Sequence, residues 1–472
     1  MTEIQGILMK KCSKTEVFSH SIVILCAGAG TRMKSHTPKV LHKLCGRSMI
    51  ALILRESLPL SDDIHIVLYH QAKEIKECIT QEFSQYIPSH IYFHTQDHKN
   101  YPGTGGALMG VKCKYEKILV LNGDMPLVQS SSLKALCARS ESIVLSVFTL
   151  ANPQGYGRVV LDSKDSKKSH QPLRVQKIIE EKDANAKQKA ITTLNAGVYV
   201  FEKSLLEALL PHLSNNNAQQ EYYLTDIIAL ARDKKLLKKC NITQKIEIGA
   251  QFVDSQEFMG INSKAHLADA QEVLLSRLRA DAMQKGVRFD IPQSVYIECG
   301  VEFIGECVVE NGVRISGECV LEDSHIKAHS VIESSVIKRS DIGPCAHIRP
   351  KCEIIDTHIG NFVEVKAGKL NGVKAGHLSY LGDCEIGKGS NVGAGVITCN
   401  YDGKNKHKTI IGENVFIGSD CQLVAPLNIE SSVLIAAGTT VTHNIPSGAL
   451  AISRVEQKNK ADFFKRFFGK RG

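Results

Sequence analysis

The stretch "IGENVFIGSDCQLVAPLNIESSVLIAAGTT", residues 411–440, decides the fold of the second half of the chain. Ile411, Ile417, Ile429 and Ile435 stand six residues apart or a multiple of six, and each is followed by a small or acidic residue. Earlier lines keep the beat: "IGNFVE" from Ile359, "IGKGSN" from Ile386 and "VGAGVI" from Val392. A fixed short period means a stacked repeat. Three six-residue units close one triangular turn, and the leading aliphatic side chain points inward onto its equivalent in the next coil. Small residues suit the corners, where backbones crowd. The expectation is a left-handed parallel β-helix of hexapeptide repeats. The beat breaks at Lys366–His377 and at Thr398–Ile410, which are read as two loops leaving the scaffold. Both carry His, Lys, Asn or Tyr, so both are candidate functional segments.

Moving outward, the first half has a different pattern. "SIVILCA" (Ser21–Ala27), "DIHIVLY" (Asp63–Tyr69), "HIYFHT" (His90–Thr95), "KILVLNGD" (Lys117–Asp124) and "SIVLSVFT" (Ser142–Thr149) are short apolar runs that suit strands covered on both faces. "SSLKALCAR" and "SLLEALLPHL" read as helices. The alternation predicts a Rossmann-like α/β sheet with ligands at the carboxyl ends of its strands. From Leu224 to Arg288 the pattern is mostly helical, and it includes a connecting helix that stops at Gly286.

Composition sets bounds. The 472 residues are too many for one ordinary core. Hydrophobic residues make up 43% and charged ones 23%, as in globular proteins generally. No apolar run has the length of a membrane span. The first twenty residues lack the apolar stretch of a secretory signal, and Met9 is a second candidate start. The 15 cysteines are scattered without a Cys-x-x-Cys pair, which argues against a zinc site or a disulfide framework and for a reducing, cytoplasmic setting. A net charge of +9 suits anionic ligands, but no nucleic-acid motif accompanies it.

The run "VILCAGAGTRMKSHTPKVLHK" (Val23–Lys43) joins an apolar strand to a glycine-rich, cationic turn. Backbone N–H groups in such a turn can approach phosphate, and Arg32 and Lys39 can add charge-assisted bonds. The stretch is neither G-x-G-x-x-G nor a Walker A loop. Alone, it fits a plain strand-to-helix turn equally well.

It has company. "LCAGAGTRM…PK", "PGTGGAL" (Pro102–Leu108), "LNGDMPL" (Leu121–Leu127), "GYGRVV" (Gly155–Val160), "IIEEKDA" (Ile178–Ala184), "LNAGVYVF" (Leu194–Phe201) and "GINS" (Gly260–Ser263) occur in the order used by sugar-phosphate nucleotidyltransferases, which the first half resembles. With "KAGHLSYLGD" and "NVGAGVITCNYDG" in the repeat half, the chain from about Ser21 to Arg454 resembles the bacterial bifunctional N-acetylglucosamine-1-phosphate uridyltransferase/glucosamine-1-phosphate acetyltransferase family. The resemblance implies an N-terminal extension (1–20), a uridyltransferase domain (21–250), a linker with a long helix (251–290), an acetyltransferase β-helix (291–455) and a tail (456–472).

It also implies residue roles. Arg32 and Lys39 would be catalytic, contacting phosphates. Leu25, Cys26, Ala27, Gly28, Gln96, Gly103 and Thr104 would hold UTP, and Gly157, Glu180 and Asn195 the sugar. Asp124 and Asn262 would bind Mg²⁺, a pairing of oxygen ligands that suits this ion. In the second half His377 would be the base, with Glu364 near it. Arg349, Lys366, Tyr380 and Asn391 would bind the sugar phosphate. Ala394, Asn400, Tyr401, Ser419, Ala437 and Arg454 would bind acetyl-CoA. The implied partners are small molecules (UTP, glucosamine 1-phosphate, N-acetylglucosamine 1-phosphate and acetyl-CoA) and two further copies in a homotrimer, without nucleic acid or stable membrane insertion.

Four features depart from the family pattern: the extension, the polar insertion Asp162–Val175, the spacer "DHKNYP" between Gln96 and Gly103, and a Lys366–His377 spacing one residue shorter than usual. The basic, aromatic tail "ADFFKRFFGKRG" reads as a frayed end, a helix on a neighbouring subunit or a weak membrane contact. Three other readings compete. A glucose- or mannose-1-phosphate nucleotidyltransferase with a purely structural repeat half would not need "KAGHLSYLGD". A γ-class carbonic anhydrase-like repeat would need a second histidine five past His377, where Gly382 stands. A non-catalytic regulatory subunit would not need Arg32, Lys39, Asp124 and Asn262 together.

Overall fold

The computed structural model describes residues 20–28, 30–162 and 173–469. The chain forms two compact units that divide between Leu274 and Leu275, inside the helix Lys264–Gln284. That helix ends as expected, with Gly286 at φ +98.

The first unit is built on one nine-stranded mixed sheet. Its strands are β1 (His20–Cys26), β2 (Ile64–Leu68), β3 (Ile91–Thr95), β4 (Lys117–Asn122), β5 (Ile143–Thr149), β6 (Arg158–Leu161), β7 (Leu173–Ile179), β8 (Thr193–Glu202) and β9 (Ile248–Phe252). Their order is β3-β2-β1-β4-β8-β5-β9-β7-β6. β1 runs parallel to β2 and β4, while β8 is antiparallel to β4 and β5. Buried aliphatic residues cover both faces: Ile22 and Ile24 of β1 pack on one side and Val23 on the other. This is why these strands read as continuous apolar runs.

Between Leu224 and Arg288 the structure departs from the helical expectation. β9 lies in this stretch and pairs in parallel with β5. Its sequence, "IGAQF", is too poor in aliphatic residues to announce a strand. The polar insertion rises from the antiparallel pair β6/β7, and its residues 163–172 lie outside the described set, as do residues 1–19 of the extension.

The second unit contains three parallel sheets of ten, nine and eight short strands, the faces of a left-handed β-helix. Each strand pairs with the one a full coil later, as in Ile326↔Ile342↔Ile359 and Ile337↔Ile354↔Leu370. Ile326, Ile342, Ile359, Ile337 and Ile354 are all fully buried.

The segment Lys366–His377 does not leave this scaffold, contrary to the reading above. Lys369–Asn371 and Lys374–His377 are strands in register with the coils on either side. The inward residues here are Ile359, Val365, Leu370, Ala375 and Leu381, so the steps are six, five, five and six. A five-residue side closes the same triangle, and a search for a six-residue beat misses it. The other interruption is real. Val392 pairs with Ile417 and Thr398 with Leu423, so an excursion separates the coils, folded back by a bridge between Tyr401 and Lys406.

One corner carries a ladder of hydroxyls. Ser324, Ser340 and Thr357 are buried. Each donates to the carbonyl two residues before it at 2.7 Å. Each accepts from a backbone N–H of the next coil: Ser340 N at 3.2 Å, Thr357 N at 3.0 Å and Val373 N at 3.2 Å. Corner groups that the strand ladders cannot reach are satisfied in this way.

The tail ends in a short helix, Phe463–Phe468, whose four phenylalanines are exposed. Among the described residues, no helix is long and apolar enough to cross a membrane.

Replacing Thr357 by Val keeps its shape and removes the hydroxyl. The Val373 N–H then loses its acceptor in a buried place, at a cost of about 1–3 kcal/mol. Urea unfolding of Thr357→Val is expected to show this loss, and Thr442→Val at an exposed threonine is expected to show almost none.

Candidate active sites

Register brings the first set of residues together. Leu25 of β1 is paired with Asn122 of β4, Cys26 with Leu68 of β2, and Leu68 with Thr95 of β3. The residues that follow these pairs (Ala27 and Gly28, Asp124, Gln96) therefore leave the same carboxyl edge of the sheet. Two glycines fit by close approach. A Cβ on Gly30, which sits at φ +63, would meet the Lys39 Cβ at 2.7 Å. Gly123 donates its N–H to the Leu25 carbonyl at 2.9 Å, and a Cβ there would strike the Cys26 sulfur.

At this edge four predicted residues converge. Lys39 Nζ forms an ion pair with Asp124 and donates to Asn262 Oδ1 at 2.8 Å. Arg32 donates to the same Asn262 oxygen at 2.8 Å. The loop of Asn262 is tied down by the Ile261 N–H, which donates to the Asp124 carbonyl at 2.9 Å. A Cβ on Gly260 would lie 3.4 Å from Asp124 Oδ1, so glycine keeps that flank of the carboxylate open. Cys26 is fully enclosed, and burial followed by the Asp124 charge pushes its thiol up, so only its backbone is available to a ligand.

Gln96 is nearer to Gly103 than the intervening "DHKNYP" suggests. Its side-chain amide donates to the carbonyls of Tyr101 at 2.9 Å and Gly103 at 3.0 Å, so the longer spacer bulges out and leaves the two residues side by side. Gly103 and Gly105 of "PGTGGAL" pack on residues 221–224, and Gly106 on Tyr101: Gly105 N donates to the Tyr222 carbonyl at 2.8 Å, and Thr104 Oγ1 accepts from Leu224 N at 3.1 Å.

Gly157 just before β6, Glu180 just after β7 and Asn195 on β8 form a second group. Asn195 N donates to the Gly157 carbonyl at 2.9 Å, and a Cβ on Gly157 would lie 3.5 Å from Glu180 Oε2. Two residues here escaped the sequence reading. Thr225 donates to Glu180 Oε1 at 2.8 Å. Tyr199 accepts from Asn195 Nδ2 at 2.5 Å. Thr225 stands outside the quoted motifs, and Tyr199, although inside "LNAGVYVF", reads there as one more apolar strand residue. Burial, followed by the Asp226, Asp183 and Glu221 charges, raises Glu180 above the usual carboxylate range, although the Thr225 bond works against this.

In the β-helix, Glu364 is paired with Tyr380, and Lys366 with Gly382 one coil on. Arg349 donates its N–H to the Val365 carbonyl at 2.8 Å, so Arg349, Glu364, Lys366 and Tyr380 occupy successive coils of one sheet. The Glu364 carboxylate accepts from Arg349 at 2.9 Å, which raises Arg349 further. His377 is paired with Asn361, on a different sheet from the Glu364–Tyr380 pair. Lys366 is pushed below the usual lysine range by contact with Lys406, then by burial. Lys406 also lines a cleft of about 170 Å³ with Ala367, Asp383, His407 and Lys408. Asn400 reaches back to Asp383, while Tyr401 is exposed on the excursion. Asn391 is paired with Lys374 and Phe416. Ala394, Ser419 and Ala437 stack at one corner: Asp420 N donates to the Ala394 carbonyl and Gly438 N to that of Ser419, each at 2.8 Å. Arg454 donates to the Ala437 carbonyl.

Residues 22–220 match the model of the MobA-like NTP transferase domain. A relative from Wolinella succinogenes, described as "Bifunctional protein GlmU", is 55% identical over 95% of this chain and 98% of its own length. The chain belongs to the GlmU family. A GlmU relative from Nitratiruptor sp. is 56% identical over 96% of this chain and all of its own. One from Helicobacter hepaticus is 55% identical over 95% and 97%. The solved inositol-1-phosphate CTP transferase of T. maritima superimposes on 55% of this chain with a TM-score of 0.39 at 16% identity, covering 98% of its own chain. As a GlmU-family member, the chain is a two-activity enzyme, a nucleotidyltransferase and an acetyltransferase.

The raised Glu180 carboxyl has a consequence for stability. Its folded state holds the proton more tightly than the unfolded chain, so its contribution is fully present below the unfolded pKa and is lost as pH rises through the folded one. Glu180→Gln removes that penalty. In thermal melts it is expected to exceed wild type at pH 7 to 8, with the gap shrinking toward pH 4, near the ordinary carboxylate value.

Proposed function

We propose that the chain completes UDP-N-acetylglucosamine in two steps. The β-helix half moves an acetyl group from acetyl-CoA to the amine of glucosamine 1-phosphate. The sheet half then joins N-acetylglucosamine 1-phosphate to the uridylyl group of UTP and releases pyrophosphate. The observation that supports this best is the convergence of Arg32, Lys39, Asp124 and Asn262 at the carboxyl edge of the sheet.

In the uridylyl step a sugar-phosphate oxygen attacks the α-phosphorus of UTP, and the bond to pyrophosphate breaks opposite it. The reactants are all anions, so positioning and charge neutralisation carry most of the catalysis. Arg32 and Lys39 hold the triphosphate and offset the charge that grows on the leaving pyrophosphate. Gln96, Gly103 and the Leu25–Gly28 turn seat the nucleoside. Glu180 and Asn195, held by Thr225 and Tyr199, accept and donate to the sugar hydroxyls and its acetamido group. Asp124 and Asn262 offer a carboxylate and an amide oxygen already turned to one cationic point, a donor set that fits Mg²⁺. Bound there, the ion would neutralise phosphate charge.

In the acetyl step the amine attacks the thioester carbonyl. His377 takes the proton that the amine must lose, and CoA leaves as the thiol. Arg349 and Lys366 bind the sugar phosphate, and Tyr380 and Asn391 its ring. Arg454, Asn400 and Tyr401 line the CoA groove with Ser419, Ala437 and the Ala394 N–H. A homotrimer, with each acetyl site shared between copies, fits the exposed position of His377. The cytoplasm fits the substrates.

One incubation tests the whole reading. Protein supplied with glucosamine 1-phosphate, acetyl-CoA, UTP and Mg²⁺ is expected to yield UDP-N-acetylglucosamine, CoA and pyrophosphate by mass spectrometry. A non-acetylated nucleotide sugar would reduce the β-helix to a scaffold. Asp124→Ala is expected to lose uridylyl transfer by a factor of about 10² or more and to keep acetyl transfer. His377→Ala is expected to do the reverse, losing about 10²–10⁴-fold. Mixing the two variants is expected to restore the pathway through the released intermediate.

A further inference from the structure

The contacts of Lys39 point to a role beyond phosphate binding. Its ammonium is held by the same two side chains, Asp124 and Asn262, that the proposed function gives to the divalent ion. Lys39 and Asp124 are largely enclosed, with side chains 14% and 23% exposed. The amide of Asn262 is oriented for a cation. Its Nδ2 donates to the Gly260 carbonyl at 3.3 Å, which leaves Oδ1 to face Lys39 and Arg32. The Asn262 backbone N–H donates to His266 Nδ1 at 3.4 Å, so the loop is braced on both sides.

We propose that Lys39 is an internal competitor for the metal position, and that binding of the triphosphate removes it. A divalent ion and the ammonium compete here: both are positive and repel at this distance, and Asn262 Oδ1, which a metal would need, already accepts from Lys39 and Arg32. Lys39 therefore weakens binding of the free ion. A triphosphate brings several anionic oxygens within reach of Lys39, which exchanges its carboxylate partner for phosphate. Asp124 and Asn262 then turn to the metal. Metal and nucleotide thereby favour each other through one side chain, and the coupling is reciprocal. Arg32 shares Asn262 but not Asp124, so Lys39 carries the competition.

This inference rests on the assignment of Asp124 and Asn262 to the metal, and the test separates the two. Mn²⁺ is titrated into nucleotide-free, full-length protein, with free Mn²⁺ read by electron paramagnetic resonance and the rise in melting temperature as a second readout. Lys39→Met is expected to bind Mn²⁺ about tenfold or more tightly than wild type, which is the worth of one charge-assisted hydrogen bond. Adding Asp124→Asn to that variant is expected to abolish the gain. Lys39→Gln, which keeps a polar chain, is expected to fall between wild type and Lys39→Met and serves if the methionine variant does not fold. Equal, Asp124-dependent affinity in wild type and both Lys39 variants overturns the competition and leaves the metal assignment standing. If no form binds Mn²⁺ in an Asp124-dependent way at millimolar concentration, the metal assignment falls and the competition falls with it.

Discussion

Parallel pairing of backbones places the working residues in both halves. In the sheet, Leu25 lies beside Asn122 and Leu68 beside Thr95, so three loops from distant parts of the chain open at one edge. In the β-helix, Glu364 lies beside Tyr380 and Lys366 beside Gly382, so side chains a coil apart stand in a column. Because side chains alternate between faces along a strand, a slip of one residue would turn each of these groups to the opposite face. The buried Ile22, Val23 and Ile24 on the two faces of β1, and the inward isoleucines of the coils, prevent that slip.

The coils also show how a repeat tolerates irregularity. An inward step of five or six residues brings the next aliphatic group to the same axis, as at Val365, Leu370 and Ala375. Where the step is far longer, between Thr398 and Ile411, the chain leaves and returns without disturbing the register of Val392 and Ile417. The corner hydroxyls of Ser324, Ser340 and Thr357 fasten one coil to the next where regular pairing stops.

The sequence carried the fold in its periodicity and the sites in its motifs. The apolar runs named five strands of the sheet, and the isoleucine beat announced the β-helix. Arg32, Lys39, Asp124 and Asn262 were found from short motifs and meet in space. What stayed hidden had physical causes. β9 has almost no aliphatic content, because glycine and glutamine fill its middle. The five-residue sides around Leu370 concealed strands behind an apparent loop. The bond from Thr225 to Glu180 joins residues 45 apart, and only the folded chain brings them together. A corner at Leu378 (φ +47) separates the strand of His377 from that of Tyr380, which stacks on Glu364, and no motif marks such a corner.

The contact between Lys39 and Asn262 spans 223 positions, while partners in neighbouring coils stand only one coil apart. The two halves therefore mature differently as the chain is made. A coil can dock as soon as one more turn of sequence has been added, so the β-helix grows in step with synthesis. The nucleotide edge has no such option. Its first strand and its lysine emerge early, yet the amide that completes the constellation comes after more than half the chain. Until then the glycine-rich turn, Arg32 and Lys39 stand at the sheet edge without Asn262, and a chain truncated before Gly260 would have the sheet but not the assembled site.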